Sequence, residues 1–168
     1  QHLDGVAEVH VRPALAELIH AGAWDEIEAA FWTIIPFGAA GRRGRMHPFG
    51  SATINDRTIG ESAQALAGYV VELHGRGQAG ALRCAIAYDT RHRSRPFAEL
   101  CAEIMAAAGF EVLFFDGCRA TPELAFTVRD KKCACGIMIS ASHNPPSDNA
   151  IKVFWSTGGQ INAPHDAE

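Results

Sequence analysis

The run Ser140-Ala141-Ser142-His143-Asn144-Pro145-Pro146, closely followed by Asp148-Asn149-Ala150-Ile151-Lys152-Val153, holds the side chains best suited to chemistry. Ser142 supplies a hydroxyl nucleophile. An apolar strand-like run, Cys133 to Ile139, precedes it, so the serine is expected on a tight loop at a strand end. His143 can donate to a neighbouring oxygen, or exchange a proton with it, near neutral pH. Asn144 can steady the loop by bonding its backbone. Pro145-Pro146 stiffen the exit by restricting φ. Lys152 lies further along the chain, and a chain reversal could bring it back beside the serine. There it could stabilise negative charge, or act as acid and base if its pKa is lowered. Phosphoryl transfer calls for such parts, because it depends on positioning and charge stabilisation more than on covalent chemistry. No G-x-S-x-G elbow is present, so a serine hydrolase of that type is not supported.

The elements that must position these residues follow from periodicity. Ala14, Leu15, Leu18 and Ile19 make one apolar helical stripe, broken near Gly22, and Trp24, Ile27 and Phe31 make another. Two short helices over residues 1–32 are expected to cap the main domain at 33–168. Ile34-Ile35 leads into a glycine-rich loop, Phe37 to Gly44. Thr58 and Glu61 have capping-box spacing, and Ile59, Ala63, Leu66, Val70 and Leu73 then recur at helical intervals until Gly75 and Gly77. Cys84 to Tyr88 reads as a strand covered on both faces. Ser94 opens another helix with Pro96 in its first turn, a stripe of Phe97, Leu100, Cys101, Ile104, Met105 and Ala108, and a stop at Gly109. Val112 to Phe115 is the next strand. Thr121-Pro122 reads as an N-cap with proline following, before a helix buried on Leu124, Ala125 and Val128. Cys133 to Ile139 and Ile151 to Trp155 are the last strands. This alternation predicts an α/β fold, a three-layer α/β/α sandwich with a mixed, mostly parallel sheet. The final strand is expected to be antiparallel, since the loop 140–149 is short for a crossover.

The string GIMISASHNPPSDNAIKVFW resembles the active-site serine loop of the α-D-phosphohexomutases, the phosphoglucomutase/phosphomannomutase superfamily. Phe37-Gly38-Ala39-Ala40-Gly41-Arg42-Arg43-Gly44 is similar to that family's F-G-T-x-G-x-R-G loop, with Ala39 where threonine is usual. Asp89-Thr90-Arg91 with Ser94 and Phe97-Ala98 resembles its D-x-R-x-x-S-x-x-F-A turn, and Gly117 through Thr121-Pro122, Leu124 and Phe126 its G-x-x-x-T-P-x-L-x-F segment. Ala150 stands where the family's N-G-x-K has glycine. The tail, with Gly159-Gln160-Ile161 and Pro164-His165-Asp166, is most like the subgroup of phosphopentomutase-like, glucose-1,6-bisphosphate synthase-like and bacterial phosphoglucomutase members.

The resemblance implies domain I of a four-domain phosphosugar mutase. Such enzymes interconvert sugar 1-phosphates with 6-phosphates, or 5-phosphates for a pentose, through a bisphosphorylated sugar. Glucose is the expected sugar and glucose 1,6-bisphosphate, or its equivalent, the expected intermediate. Ser142 would carry the phosphoryl group and contact Mg²⁺. Arg43 would face it with a planar guanidinium suited to phosphate. Lys152 and Arg43 would be proton-transfer and charge-stabilising partners, and His143 a loop-orienting or substrate-contacting group. Arg43, Ser142, His143, Asn144 and Lys152 would meet the substrate. The chain has no D-x-D to supply further metal ligands, so this piece alone is expected to bind Mg²⁺ weakly and not to complete the cycle. A non-catalytic phosphate- or phosphosugar-binding module, and a purely structural α/β domain, are the rival readings. For Asp89 and Arg91 a turn-stabilising ion pair is expected rather than a catalytic role. His165 is expected to be a loop residue, not a ligand, and Trp24, Trp32 and Trp155 to be packing residues.

Composition bounds the rest. At 168 residues, 48% hydrophobic and 20% charged, the chain suits a packed core. A net charge of −4 gives no reason to expect nucleic acid, and no apolar run approaches the roughly 18 residues of a membrane span. The expected partners are a phosphosugar and the remaining domains of the same chain. Five cysteines without C-x-x-C pairs predict buried free thiols in a reducing cytoplasm, with Cys133 and Cys135 on one face of a strand. The first residue is Gln rather than Met, and no final element closes the sequence at Glu168. Both suggest a piece of a longer protein.

Overall fold

A computed structural model describes residues 2–38, 41–74, 82–162 and 165, with side chains described from residue 11 onward. The helical stripes produce helices where their spacing demands. Asp56–His74 (α3) buries Ile59, Ala63, Leu66, Ala67 and Val70, and Ser94–Ala107 (α4) buries Phe97, Ala98, Cys101 and Met105. Elements preceding these are α1 (His2–His20), α2 (Trp24–Phe31) and β1 (Gly41–Arg45). Following or flanking α4 are β2 (Arg83–Tyr88), β3 (Glu111–Phe114), α5 (Thr121–Asp130), β4 (Cys135–Ile139) and β5 (Asp148–Trp155).

The five strands lie in the order β1-β5-β4-β2-β3. β2 pairs in parallel with β3 and with β4, whereas β5 is antiparallel to both β4 and β1. Only β5 therefore runs against the other strands, and the sheet is mixed and mostly parallel. Alternation along the strands sorts the side chains into two apolar layers. Cys84, Ile86, Cys135, Ile137, Ile151 and Val153 pack with α3 and α4 on one face. Ala85, Ala87, Met138 and Phe154 pack with Leu124 and Val128 of α5 on the other. Three layers result, as the alternation of elements predicts.

Several expectations need correction. The glycine-rich segment read as a loop contains the edge strand β1. It shows no apolar alternation because one of its edges and much of its surface face solvent, and its pairing partner lies far along the chain. The capping box of α3 begins at Asn55: Thr58 N donates to Asn55 Oδ1 (3.1 Å) and Asn55 N donates to Thr58 Oγ1 (3.0 Å). Thr58 is thus the inner member of the pair. Glu61 turns outward to Arg57 (2.8 Å) and Arg42 (3.3 Å). α5 starts one residue earlier than expected, with Ala120 as its N-cap. Ala120 N donates to Glu123 Oε1 (3.2 Å), so Thr121 is the first helical residue and Pro122 the second.

Cys133 and Cys135 do not share a face. Lys132 takes φ +53 and Cys133 N donates to Val128 O, so Cys133 belongs to the turn before β4 and packs against α5. Period-two alternation begins only at Cys135, which packs on the α3–α4 side. Cys84, Cys101, Cys133 and Cys135 are buried free thiols, whereas Cys118 is exposed. Burial pushes the Cys101 thiol up to about 12.

The N-terminal stripes fold as two helices, but α1 is one long helix with Pro13 inside it. α2 docks through a narrow stripe. Ala30 is buried, Phe31 stacks on Phe49 at 5.7 Å, and Glu26 meets His47 at 3.2 Å. Gly50 (φ +101) lies so close that a Cβ there would sit 2.3 Å from Ala30 O. Trp24 and Trp32 remain 61% and 73% exposed and are not packing residues. Trp155 does pack: it stacks on His165 at 4.6 Å, and His165 Nδ1 is hydrogen-bonded to the Tyr69 hydroxyl at 2.6 Å. Ala39, Gly75, Gly77, Pro164 and Asp166, on which other expectations rested, lie outside the described residues.

Candidate functional site

Strand register decides which charged side chains share a face. Gly41 is paired with Lys152 and Arg43 with Ala150 across the β1–β5 ladder, and Lys152 is paired with Met138 across β5–β4. Arg43 and Lys152 therefore project from the α5 side of the sheet at its β1 edge. Gly41 lets β1 approach β5 closely at this point. A cleft of about 310 Å³ opens here, lined by Gly38, Gly41, Arg42, Arg43, Ala150, Lys152 and Gln160 among others. Ala150, the departure from N-G-x-K, lies buried at its floor.

β4 ends at Ile139 and hands the chain to buried Ser140, whose N–H donates to Ala150 O (3.0 Å). Ser142 is exposed at the tip of the next turn, with φ +58. That left-handed conformation is costly for a residue carrying a Cβ. Both sides of the residue are held: its N–H donates to Ser140 Oγ (3.0 Å), and its carbonyl accepts from Arg91 Nη2 (2.5 Å).

The neighbouring residues tie the loop to the cleft. Asn144 Oδ1 accepts from Arg43 Nη1 (3.2 Å), and Asn144 Nδ2 donates to Asp148 Oδ2 (2.9 Å). The expected bond from the Asn144 side chain to the loop backbone is replaced by these two, because the β1 edge brings Arg43 within reach. Lys152 is half-buried, and its pKa is lowered. Burial is the main cause, repulsion from Arg43 adds to it, Asp89 opposes it, and Arg91 lowers it further. His143 is exposed and makes no hydrogen bond among the described residues.

Arg91 is the residue whose part sequence reasoning understated. The expected ion pair exists, Arg91 Nε to Asp89 Oδ2 at 3.3 Å. Yet the same guanidinium also reaches four main-chain carbonyls of the Ser142 loop. The available signal was position: Asp89-Thr90-Arg91 leaves the C-terminal end of a parallel strand, where open α/β sheets place their functional loops.

Mg²⁺ prefers several oxygen ligands. Among the described residues no group of three or more His, Cys, Asp or Glu side chains is placed to hold a metal. The charged residues that line the cleft, Arg42, Arg43 and Lys152, are cationic. Such surroundings suit the oxygens of a phosphoryl group.

The comparisons agree with this geometry. Residues 35–168 match the family described as phosphoglucomutase/phosphomannomutase, alpha/beta/alpha domain I. The chain belongs to that family, as its domain I. It is 38% identical over 160 residues to a human phosphopentomutase, covering 91% of this chain and 26% of that protein. A Staphylococcus aureus (strain USA300) phosphoglucomutase is 38% identical over 136 residues, covering 81% and 24%. A Thermus thermophilus structure, provisionally named a phosphomannomutase, superposes with a TM-score of 0.70 at 30% identity, covering 80% of this chain and 29% of that one. The chain thus spans about a quarter of the length of the curated relatives it matches. No helix among the described residues is long and apolar enough to cross a membrane.

Proposed function

We propose that this chain is the phosphoryl-carrying domain of a phosphosugar mutase and that Ser142 is the carrier. The observation that carries the reading is an exposed serine on a pinned, left-handed turn, linked through Asn144 to Arg43 on the face that Lys152 shares. In the forward half-reaction a hydroxyl of the sugar phosphate attacks the phosphorus on Ser142. The new O–P bond forms as the Ser142 O–P bond breaks, the sugar becomes a bisphosphate, and Ser142 keeps the bonding pair and is protonated to the free hydroxyl. Lys152, whose pKa is lowered mainly by burial, takes up the sugar hydroxyl's proton and passes it to the Ser142 oxygen. Return transfer from the other phosphate restores the phosphoserine. Arg43 stabilises the equatorial phosphoryl oxygens. Exposed His143 contacts the substrate.

When bound, Mg²⁺ supplies Lewis-acid stabilisation of the phosphoryl oxygens. Ser142 is the residue here that would hold it, so its remaining ligands come from outside the described set. We assign residues 1–32 to an extension and 33–168 to the domain proper. The remaining domains of a longer polypeptide supply sugar recognition, and the location is the cytoplasm. Relatives named phosphopentomutase and phosphoglucomutase support a pentose or glucose phosphate, with glucose and glucose 1,6-bisphosphate the first pair to test.

The test is intact-mass analysis of the full-length polypeptide before and after incubation with glucose 1,6-bisphosphate and Mg²⁺. A labile phosphoryl group mapped to Ser142, and loss of mutase turnover in Ser142→Ala, are expected. Full turnover by Ser142→Ala would end the proposal, and reversible binding without modification would favour the binding-module reading.

A further inference from the structure

Arg91 uses its whole guanidinium on one loop. Nε faces Asp89 Oδ2 at 3.3 Å. Nη1 donates to Pro145 O (2.8 Å) and Asp148 O (3.2 Å), and Nη2 donates to Ser142 O (2.5 Å) and Asn144 O (2.8 Å). Four of the five N–H donors that an arginine possesses thus go to carbonyls of this loop, and Nε lies in the ion pair. The acceptors span the serine turn from its nucleophile to the first residue of β5. The base of the clamp is itself fixed. Asp89 Oδ1 accepts from Arg91 N (3.0 Å) and from Ser94 Oγ (2.7 Å), and Ser94 is fully buried at the start of α4.

An ordinary turn-bracing ion pair would leave most of those donors to solvent. Here they converge on carbonyls around a residue held at φ +58, a conformation that a serine does not keep without support. The direction in which Ser142 Oγ points follows from that backbone. A loop released from Arg91 can relax Ser142 toward negative φ and change the direction of its hydroxyl.

We infer that Arg91, seated on Asp89, is a positioning residue for phosphoryl transfer: it sets the Ser142 main chain, and through it the line of attack, without touching the substrate. The inference rests on the proposed phosphoryl-carrying role of Ser142. Lysine cannot replace the arginine, because a single ammonium keeps the charge but cannot reach separated carbonyls in the fixed fork of a guanidinium.

The experiment uses the full-length polypeptide and the variants Arg91→Lys, Arg91→Ala and Asp89→Asn. It records kcat, KM, and the single-turnover rate of phosphoryl transfer from Ser142 by quenched intact mass. Measurements are made at a temperature where circular dichroism shows each variant folded. Misplacing a reacting group by about 1 Å costs on the order of 100-fold, so Arg91→Lys is expected to lower kcat and the single-turnover rate by about 30- to 100-fold with KM changed less than about 3-fold. Asp89→Asn, which loosens the base, is expected to lose about 3- to 10-fold by the same reasoning. A purely structural brace predicts a lower melting temperature with normal turnover per folded molecule, and that outcome would overturn the inference. So would rescue by Arg91→Lys, which would make charge alone the cause, or a rise in KM at constant kcat, which would make Arg91 a substrate ligand. If Arg91→Ala does not fold, the other two variants decide. Absence of phosphoryl transfer in the unaltered protein would remove the function and this inference together. Normal transfer there with an unaffected Arg91→Lys would remove only this one.

Discussion

Gly41→Ala is the substitution whose consequence can be worked most fully. A Cβ at position 41 would lie 2.0 Å from Ile151 O and 3.0 Å from both Ile151 C and Lys152 Cα, whereas ordinary contact begins at 3.4 Å. The three atoms nearest to it are main chain, which cannot step aside as the end of a side chain can. Clearing Ile151 O needs the difference, 3.4 − 2.0, about 1.4 Å of separation. Strands sit about 4.8 Å apart, so that displacement opens the adjoining ladder hydrogen bonds beyond useful length. β1 is the edge strand and can move outward without meeting packed core. Two or three ladder bonds at about 1 kcal/mol each give an expected loss of about 2–3 kcal/mol. The same shift pulls Arg43 from Asn144, now 3.2 Å away. Urea denaturation of the purified chain measures the stability, and phosphoryl loading of Ser142 in the full-length protein measures the function. Gly68→Ala is the control. It lies exposed inside α3 with nothing within 4 Å of its added Cβ, and helix propensity predicts about 1 kcal/mol of stabilisation. If Gly41→Ala matched the unaltered chain within about 0.5 kcal/mol and loaded normally, the close β1–β5 approach would not be what holds Arg43 in place.

Three further outcomes are expected. Ser142→Gly removes the phosphoryl acceptor yet relieves the positive φ, so it should be more stable than Ser142→Ala by about 1 kcal/mol in the same denaturation assay. Lys152→Met should raise stability at pH 7, because the folded lysine has a pKa below its ordinary 10.5. Between the folded value and 10.5 the unfolded chain binds more protons, so stability rises with pH there and the advantage of the variant should shrink by pH 10.5. An advantage that grew with pH would contradict the assigned direction. Asn149→Ala should cost about 2–3 kcal/mol, since Asn149 is fully buried and its amide donates to His92 O and Ser94 Oγ while its oxygen accepts from Ala150 N. A loss below about 0.5 kcal/mol, read from the urea midpoint, would show those bonds to be replaceable.

Local chemistry was enough to read much of this protein. The stripes of α3 and α4 have helical period, the run ending at Ile139 is a strand, and the short loop 140–147 forces β5 to reverse. Each of those depends on neighbours in sequence, so residue type and spacing sufficed to place Ser142 at a strand end. Other features depend on partners that spacing cannot reveal. Gly41–Arg45 becomes a strand only because β5 arrives beside it, and that pairing alone puts Arg43 and Lys152 on one face. Cys133 falls on the α5 side because β4 starts two residues later than its apolar run. The Asp89–Arg91 pair was legible as a brace, but its reach to the carbonyls of residues 142–148 was not. A guanidinium binds whatever acceptors the fold brings within 3 Å or so of it. Those acceptors were peptide oxygens, which every residue carries and no sequence pattern marks.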